Sequence, residues 1–155
     1  MRVPAIIMAL CAIVLVSCNS NKVFQKYEKI GDNKWMRENT VNFDVTIDDT
    51  KPDYNVEVAI RHSSYYAFAD LLFNVTIVSP SGEIRTKDFD EYLREKDGTF
   101  KGEGAGDLWD ITFPAFTKSR FNEPGVYKIS VQNIMPYTTT EDIMEVGLIV
   151  TKAKE

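Results

Sequence analysis

Cysteine and histidine are scarce in this chain, with two of the first, Cys11 and Cys18, and one of the second, His62. A zinc centre normally takes two or three nitrogen or sulfur ligands at least, so a histidine-rich metal site is excluded by count. A Ser-His-Asp hydrolase would have to be built around His62, and no Gly-x-Ser-x-Gly elbow accompanies it. Positive charge is also in deficit. Lys and Arg number 18 against 23 Asp and Glu, a net charge of −5. That balance argues against nucleic acid, which calls for a basic patch or stripe. Long segments of helical periodicity, internal repeats and a Ser/Gly/Pro-rich linker are missing too, so a single domain is expected.

What is present begins with an uncharged run from Val3 to Val16, preceded by Arg2 and closed by Ser17-Cys18. Its length fits the apolar core of a secretory signal, roughly 7–15 residues, and falls short of the about 20 needed to span a bilayer. Leu15-Val16-Ser17-Cys18 matches the bacterial lipobox, in which the cysteine thiol is acylated and the chain is cut before it. The expected organisation is therefore a signal peptide over 1–17, a lipidated tether over 18–22 and a folded domain over 23–155. Cys18 is the expected lipidation site, and the membrane is the first expected partner, through several acyl chains that together hold stably. Removing residues 1–17 takes away Arg2 and no acid, making the mature chain one unit more negative. That acidity argues against a polybasic grip on lipid and leaves attachment to the acyl chains. Asn19 rather than aspartate follows Cys18, and no acidic run comes after it. Both features point to the outer membrane, facing the periplasm.

Alternation of period two dominates the rest. Val41, Phe43, Val45 and Ile47 alternate with polar residues, as do Tyr54, Val56, Val58 and Ile60, and Leu71, Phe73, Val75 and Ile77. Trp109, Ile111 and Phe113, then Tyr127, Ile129 and Val131, then Met144, Val146, Leu148 and Val150 repeat the pattern. Ile84 to Leu93 is read as a further extended segment. Turn chemistry separates these runs at Asp48 to Asp53, Ser79-Pro80-Ser81-Gly82 and Pro124-Gly125. Strands with one dry and one wet face bury their apolar sides most simply as two stacked antiparallel sheets. The expected fold is an all-β, single-domain antiparallel β-sandwich, Ig-like or jelly-roll-like. Gly125-Val126-Tyr127 also matches the strand start of many Ig-like sandwiches, where the tyrosine ring packs and its hydroxyl ties down backbone.

Few residues invite chemistry. The glycines of Lys96 to Asp107 suggest a phosphate cradle, but a strand pattern follows where a helix is needed, and Glu103 and Asp107 would repel an anion. A bent surface connection is expected there. Asp48, Asp49 and Asp53 lack calcium-loop spacing and read as a solvated turn. Trp35, alone among polar neighbours, reads as a lid on one end of the core. Tyr65, Tyr66 and Phe68 form an aromatic cluster between two strands, either a partner or ligand surface on a rigid scaffold or a cap over the core.

The chain resembles the gliding motility lipoprotein GldH family from the lipobox to the C-terminus. The resemblance is carried by Lys22-Val23-Phe24 with Tyr27, by Trp35, by Val41-Asn42-Phe43-Asp44 and by Tyr54-Asn55-Val56 leading to Arg61. It continues through Asp97-Gly98, Gly102-Glu103-Gly104, Gly125-Val126-Tyr127-Lys128-Ile129 with Gln132, and Glu145-Val146-Gly147-Leu148. His62 to Phe68 and Thr138-Thr139-Thr140 depart from the family pattern. The resemblance implies a cell-envelope lipoprotein that works with other gliding-motility envelope proteins and the associated secretion apparatus. It implies no catalytic residue, metal or cofactor, and the expected role is a non-enzymatic accessory or assembly component. The alternative is an envelope ligand-binding module for glycan or peptidoglycan, using Tyr65, Tyr66, Phe68 and Trp109.

Overall fold

The computed structural model describes residues 21–154, so Cys18 and the leader lie outside the described residues. Two antiparallel sheets stack face to face. The first contains β1 (Lys22–Lys29), β4 (Tyr54–Ser63), β7 (Glu103–Ala105), β8 (Leu108–Ser119) and β11 (Ile143–Lys152), in the order β1-β11-β4-β8-β7. The second contains β3 (Val41–Ile47), β5 (Asp70–Val78), β6 (Ile84–Tyr92) and β9 (Gly125–Asn133), in the order β3-β9-β5-β6. A short ribbon of β2 (Lys34–Met36) and β10 (Thr139–Glu141) closes one end. The all-β sandwich expected from the alternation is the fold observed.

The burial pattern follows the sequence pattern residue by residue. In β3, Val41, Phe43, Val45 and Ile47 are buried while Asn42, Asp44 and Thr46 face solvent. Opposite them, Val56, Val58, Ile60, Val146, Leu148 and Val150 fill the inner face of the first sheet. Phe73 stacks on Phe89 at 5.1 Å and tilts against Phe113 at 6.1 Å, joining the two sheets. Each such side chain contributes about 1.5–3 kcal/mol when fully buried. Ile84 to Leu93 is extended as expected, with Phe89 turned inward. Tyr127 is buried and its hydroxyl donates to the Glu123 carbonyl at 2.9 Å, the Ig-like arrangement anticipated from Gly125-Val126-Tyr127.

Two boundaries differ from expectation. β1 starts at Lys22, and the Lys152 amide donates to the Asn21 carbonyl at 2.7 Å, so pairing reaches into the stretch assigned to the tether. Within the glycine-rich stretch, β7 pairs with β8, and Arg94 bridges Phe100. Gly102 makes this bend possible. Its φ is +88°, and a Cβ there would sit 2.2 Å from the Asp110 carbonyl oxygen.

Register defines two ends. Lys152 lies opposite Tyr54 at one end of the first sheet, and Ile143 opposite His62 at the other. β1 runs between them, with Lys22 opposite Thr151 and Lys29 opposite Glu145. At ~3.3 Å per residue the ends of a ten-residue strand stand roughly 30 Å apart. The near end, beside Asn21, also holds the Asp48–Asp53 turn and the close of β8. The far end holds the β2–β10 ribbon, the 64–69 loop and the glycine-rich bend.

The ribbon is locked by one buried amide. Asn133 Nδ2 donates to the Trp35 carbonyl at 2.7 Å and to Thr140 Oγ1 at 2.9 Å, while its Oδ1 accepts from the Met135 amide at 2.9 Å. Trp35 is fully buried against this network and donates its indole N–H to the Asn39 carbonyl, so it caps the core as expected. Asn133→Leu strands these buried groups without partners, at about 1–3 kcal/mol for each one left unsatisfied. A fall of at least ~2 kcal/mol in unfolding free energy is expected, read from urea denaturation.

Candidate functional site

The far end is built on rings held by one guanidinium. Arg94 follows β6, and its Nη2 donates to the Tyr66 carbonyl and its Nη1 to the Gly98 carbonyl, both at 2.8 Å. The same guanidinium lies 3.7 Å over the Phe100 ring, a cation–π contact. Arg94 thus ties the 64–69 loop to the glycine-rich bend. Ser63 fixes the start of that loop. Its hydroxyl donates to Asp142 Oδ1 at 2.8 Å and accepts from the Tyr65 amide at 3.0 Å.

The rings form a continuous series. Trp109 lies 5.4 Å from Phe100, Phe100 lies 4.8 Å from His62, and His62 lies 5.6 Å from Tyr66. Tyr66 then meets Phe68 at 5.7 Å, and Phe68 stacks on Tyr137 at 4.9 Å. Tyr66 is fully buried, and its hydroxyl donates to the Asp70 carbonyl at 2.7 Å. This corrects its place in a surface cluster: Tyr66 is a cap on the core, and burial pushes its hydroxyl pKa up. Tyr65 points outward at 74% exposure, and Phe68 is half-buried beneath Tyr137, itself 49% exposed. Trp109 is half-buried and donates its indole N–H to Ser64 Oγ at 3.2 Å. Of the cluster read from sequence, Tyr65 and Phe68 therefore stay at the surface. Arg94, Phe100 and Tyr137 complete this end and carried no local motif.

His62 ends β4 as a strand-end residue, but its ring is buried among these aromatics. Its Nδ1 lies 2.9 Å from the Ser63 carbonyl, which fixes that nitrogen as the N–H donor. Nε2 has no hydrogen-bond partner among the described residues. Among the described residues, no group of three or more His, Cys, Asp or Glu is placed to hold a metal ion. An open groove of about 530 Å³ runs along Glu28, Ile30, Asp32, Trp35 and Asn39, away from the rings. On the outer face of the first sheet, Arg61 grips Asp110 through two bonds of 2.8 and 2.9 Å and reaches Glu145 at 3.1 Å. It thereby clips β4 to both neighbours.

The profile of the GldH lipoprotein family matches residues 22–150. The chain belongs to the GldH lipoprotein family. The gliding motility lipoprotein GldH of Flavobacterium johnsoniae is 30% identical over 126 residues, covering 81% of this chain and 77% of that one. A GldH homolog of Christiangramia forsetii is 27% identical over 123 residues, covering 79% and 75%. Among solved structures, the Yersinia pseudotuberculosis-derived mitogen aligns over 85% of this chain and 88% of its own at 9% identity, with a TM-score of 0.37. So distant a likeness carries no argument. Several residues behind the GldH resemblance now have structural roles: Trp35 and Tyr127 pack, Arg61 bridges three strands, and Gly102 turns the bend. Gly147 leaves room for the Tyr27 ring, which a Cβ would meet at 2.4 Å.

Burial of His62 holds its pKa below the ordinary 6.5, against the opposing pull of the Ser63 carbonyl. The unfolded chain therefore takes up a proton near pH 6.5 that the folded chain refuses, and stability is lost as pH falls below that value. Because His62 is the only histidine, its imidazole resonances report it alone. NMR titration is expected to give a midpoint under 6.5, and His62→Phe to flatten the loss of stability on acidification.

Proposed function

We propose that this chain is a non-enzymatic, lipid-anchored component of gliding motility and its associated secretion machinery, working by protein–protein contact. Membership of the GldH lipoprotein family along residues 22–150 is the observation that carries this reading. Cys18 is its anchor, with its acyl chains seated in the outer membrane on the periplasmic side. The partner surface is the far end, where Tyr65, Tyr137 and Phe68 stand on a rigid aromatic base. Its distance from Asn21 supports that role, since roughly 30 Å of sandwich holds it away from the bilayer. Exposed aromatics on a stiff base are what strong contacts favour, because little entropy is lost on binding.

The stack of Phe68 and Tyr137 favours one second reading, a glycan or peptidoglycan ligand lying on the open face of Tyr137. The two differ in what is retained. Cell-wall glycan that binds the wild type and is lost from Tyr137→Ala supports the second. Crosslinks in intact cells from Tyr65 to envelope proteins support the first.

Deletion of the gene is expected to abolish colony spreading, and spreading and secretion at normal levels would overturn the role. Cys18→Ser is expected to leave the chain uncut and unlipidated and to fail in complementation. Release of a processed, soluble protein would show that Cys18 is not needed for cleavage. Tyr65→Ala with Tyr137→Ala should weaken partner recovery by tenfold or more, about 1.4 kcal/mol, with an unchanged urea midpoint. Tyr66→Ala is the contrasting case, losing about 3–5 kcal/mol of stability because a buried ring is removed.

A further inference from the structure

We infer that the near end of the sandwich is a cationic surface that lies on the anionic phospholipid headgroups of the leaflet holding the anchor. The inference rests on Cys18 being that anchor. Pairing of the Asn21 carbonyl with the Lys152 amide fixes the chain into the sheet three residues after Cys18. At ~3.3–3.6 Å per residue those residues reach about 10 Å at most. The screening length at physiological salt is ~8 Å, so the tether cannot lift this end far beyond the field of a charged bilayer.

The charge found at that end runs against the rest of the molecule. Two adjoining concavities of about 400 and 370 Å³ share Asn21, Lys118, Lys152 and Lys154, and the second adds Lys51 and Arg120. Arg120 is paired with Asp53 at 2.9 Å, and Lys152 with Asp49 at 3.5 Å. Asp48 lies with Asp49 on the neighbouring rim. Lys51, Lys118 and Lys154 are exposed and form no ion pair among the described residues. A chain of net charge −5 thus gathers five cations against Asp48, Asp49 and Asp53 where its anchor holds it against lipid.

Lys118 shows that the backbone itself is shaped there. Its φ is +47°, a conformation uncommon for any residue but glycine, at a bulge where β8 slips register against β4. The Asn55 side chain holds it by accepting the Lys118 amide at 2.9 Å. A regular strand would turn this side chain to one face of the sheet; the bulge re-aims it, and it lines both concavities.

The test uses the full lipidated protein in vesicles of phosphatidylcholine alone or mixed with phosphatidylglycerol, with lysine reactivity read by amine labelling and mass spectrometry. Labelling of Lys51, Lys118 and Lys154 is expected to fall about threefold or more in the anionic vesicles and to recover at high salt. Lys29 and Lys96, toward the far end, should label equally in both. Equal labelling of the near-end lysines in the two vesicle types overturns the inference. So does equal protection by inorganic phosphate in neutral vesicles, which would mark a site for a free anion. The variant Lys118→Glu with Lys154→Glu is expected to stay vesicle-bound while Lys51 loses its protection. Retained protection of Lys51 overturns the patch and leaves the anchor standing. Wild-type protein that fails to float with neutral vesicles overturns the anchor and the inference with it. Glu155 is kept in every protein so that its charge is common to all arms.

Discussion

Face-to-face burial of two antiparallel sheets fixes where every other feature can lie. Once Val45, Ile60, Phe73, Ile129 and Leu148 share one interior, each strand's remaining side chains must face out, and each loop must fall at one of two ends. The same constraint separates the lysine-rich end from the aromatic end. Asn21 and the lysines belong to one end because β1 and β11 run antiparallel with Lys22 opposite Thr151. The aromatic series belongs to the other because β4 carries His62 to the opposite margin.

The far end holds its shape through polar contacts as well as through its packed rings. Arg94 bonds two backbone carbonyls from segments that belong to different connections, and Asn133 ties the two strands of the β2–β10 ribbon through the Trp35 carbonyl and the Thr140 hydroxyl. Each group is buried or half-buried with its bonds made, so neither pays the penalty of a stranded donor. The result is a loop end with little freedom of its own, on which exposed Tyr65 and Tyr137 stand.

Much of this was legible in the sequence. Alternation located six of the longer strands, since a half-buried sheet repeats every two residues and a helix does not. Tyr127 announced its hydrogen bond through Gly125-Val126, and Trp35 its burial through its isolation. What stayed hidden depends on contacts between distant segments. Tyr66 looks like Tyr65 in sequence, and only the packing of Phe68 and His62 around it makes one a core residue and the other a surface residue. Arg94 is an ordinary charged residue until the carbonyls of Tyr66 and Gly98 are brought to it. β7 is too short and too rich in glycine to show a period. The near-end lysines come from three separate stretches of an acidic chain, so composition concealed them.

The central place of β11 also bears on how the molecule comes into being. It is the last strand in chain order, yet it sits between β1, the first, and β4. Until it arrives, β1 has no strand partner among the described residues and the first sheet has a gap between β1 and β4. Contacts of such long sequence separation form slowly, because loop-closure entropy must be met first. A chain made in order therefore cannot complete its core strand by strand. Its fold closes only when β11, the last strand, is in place between β1 and β4.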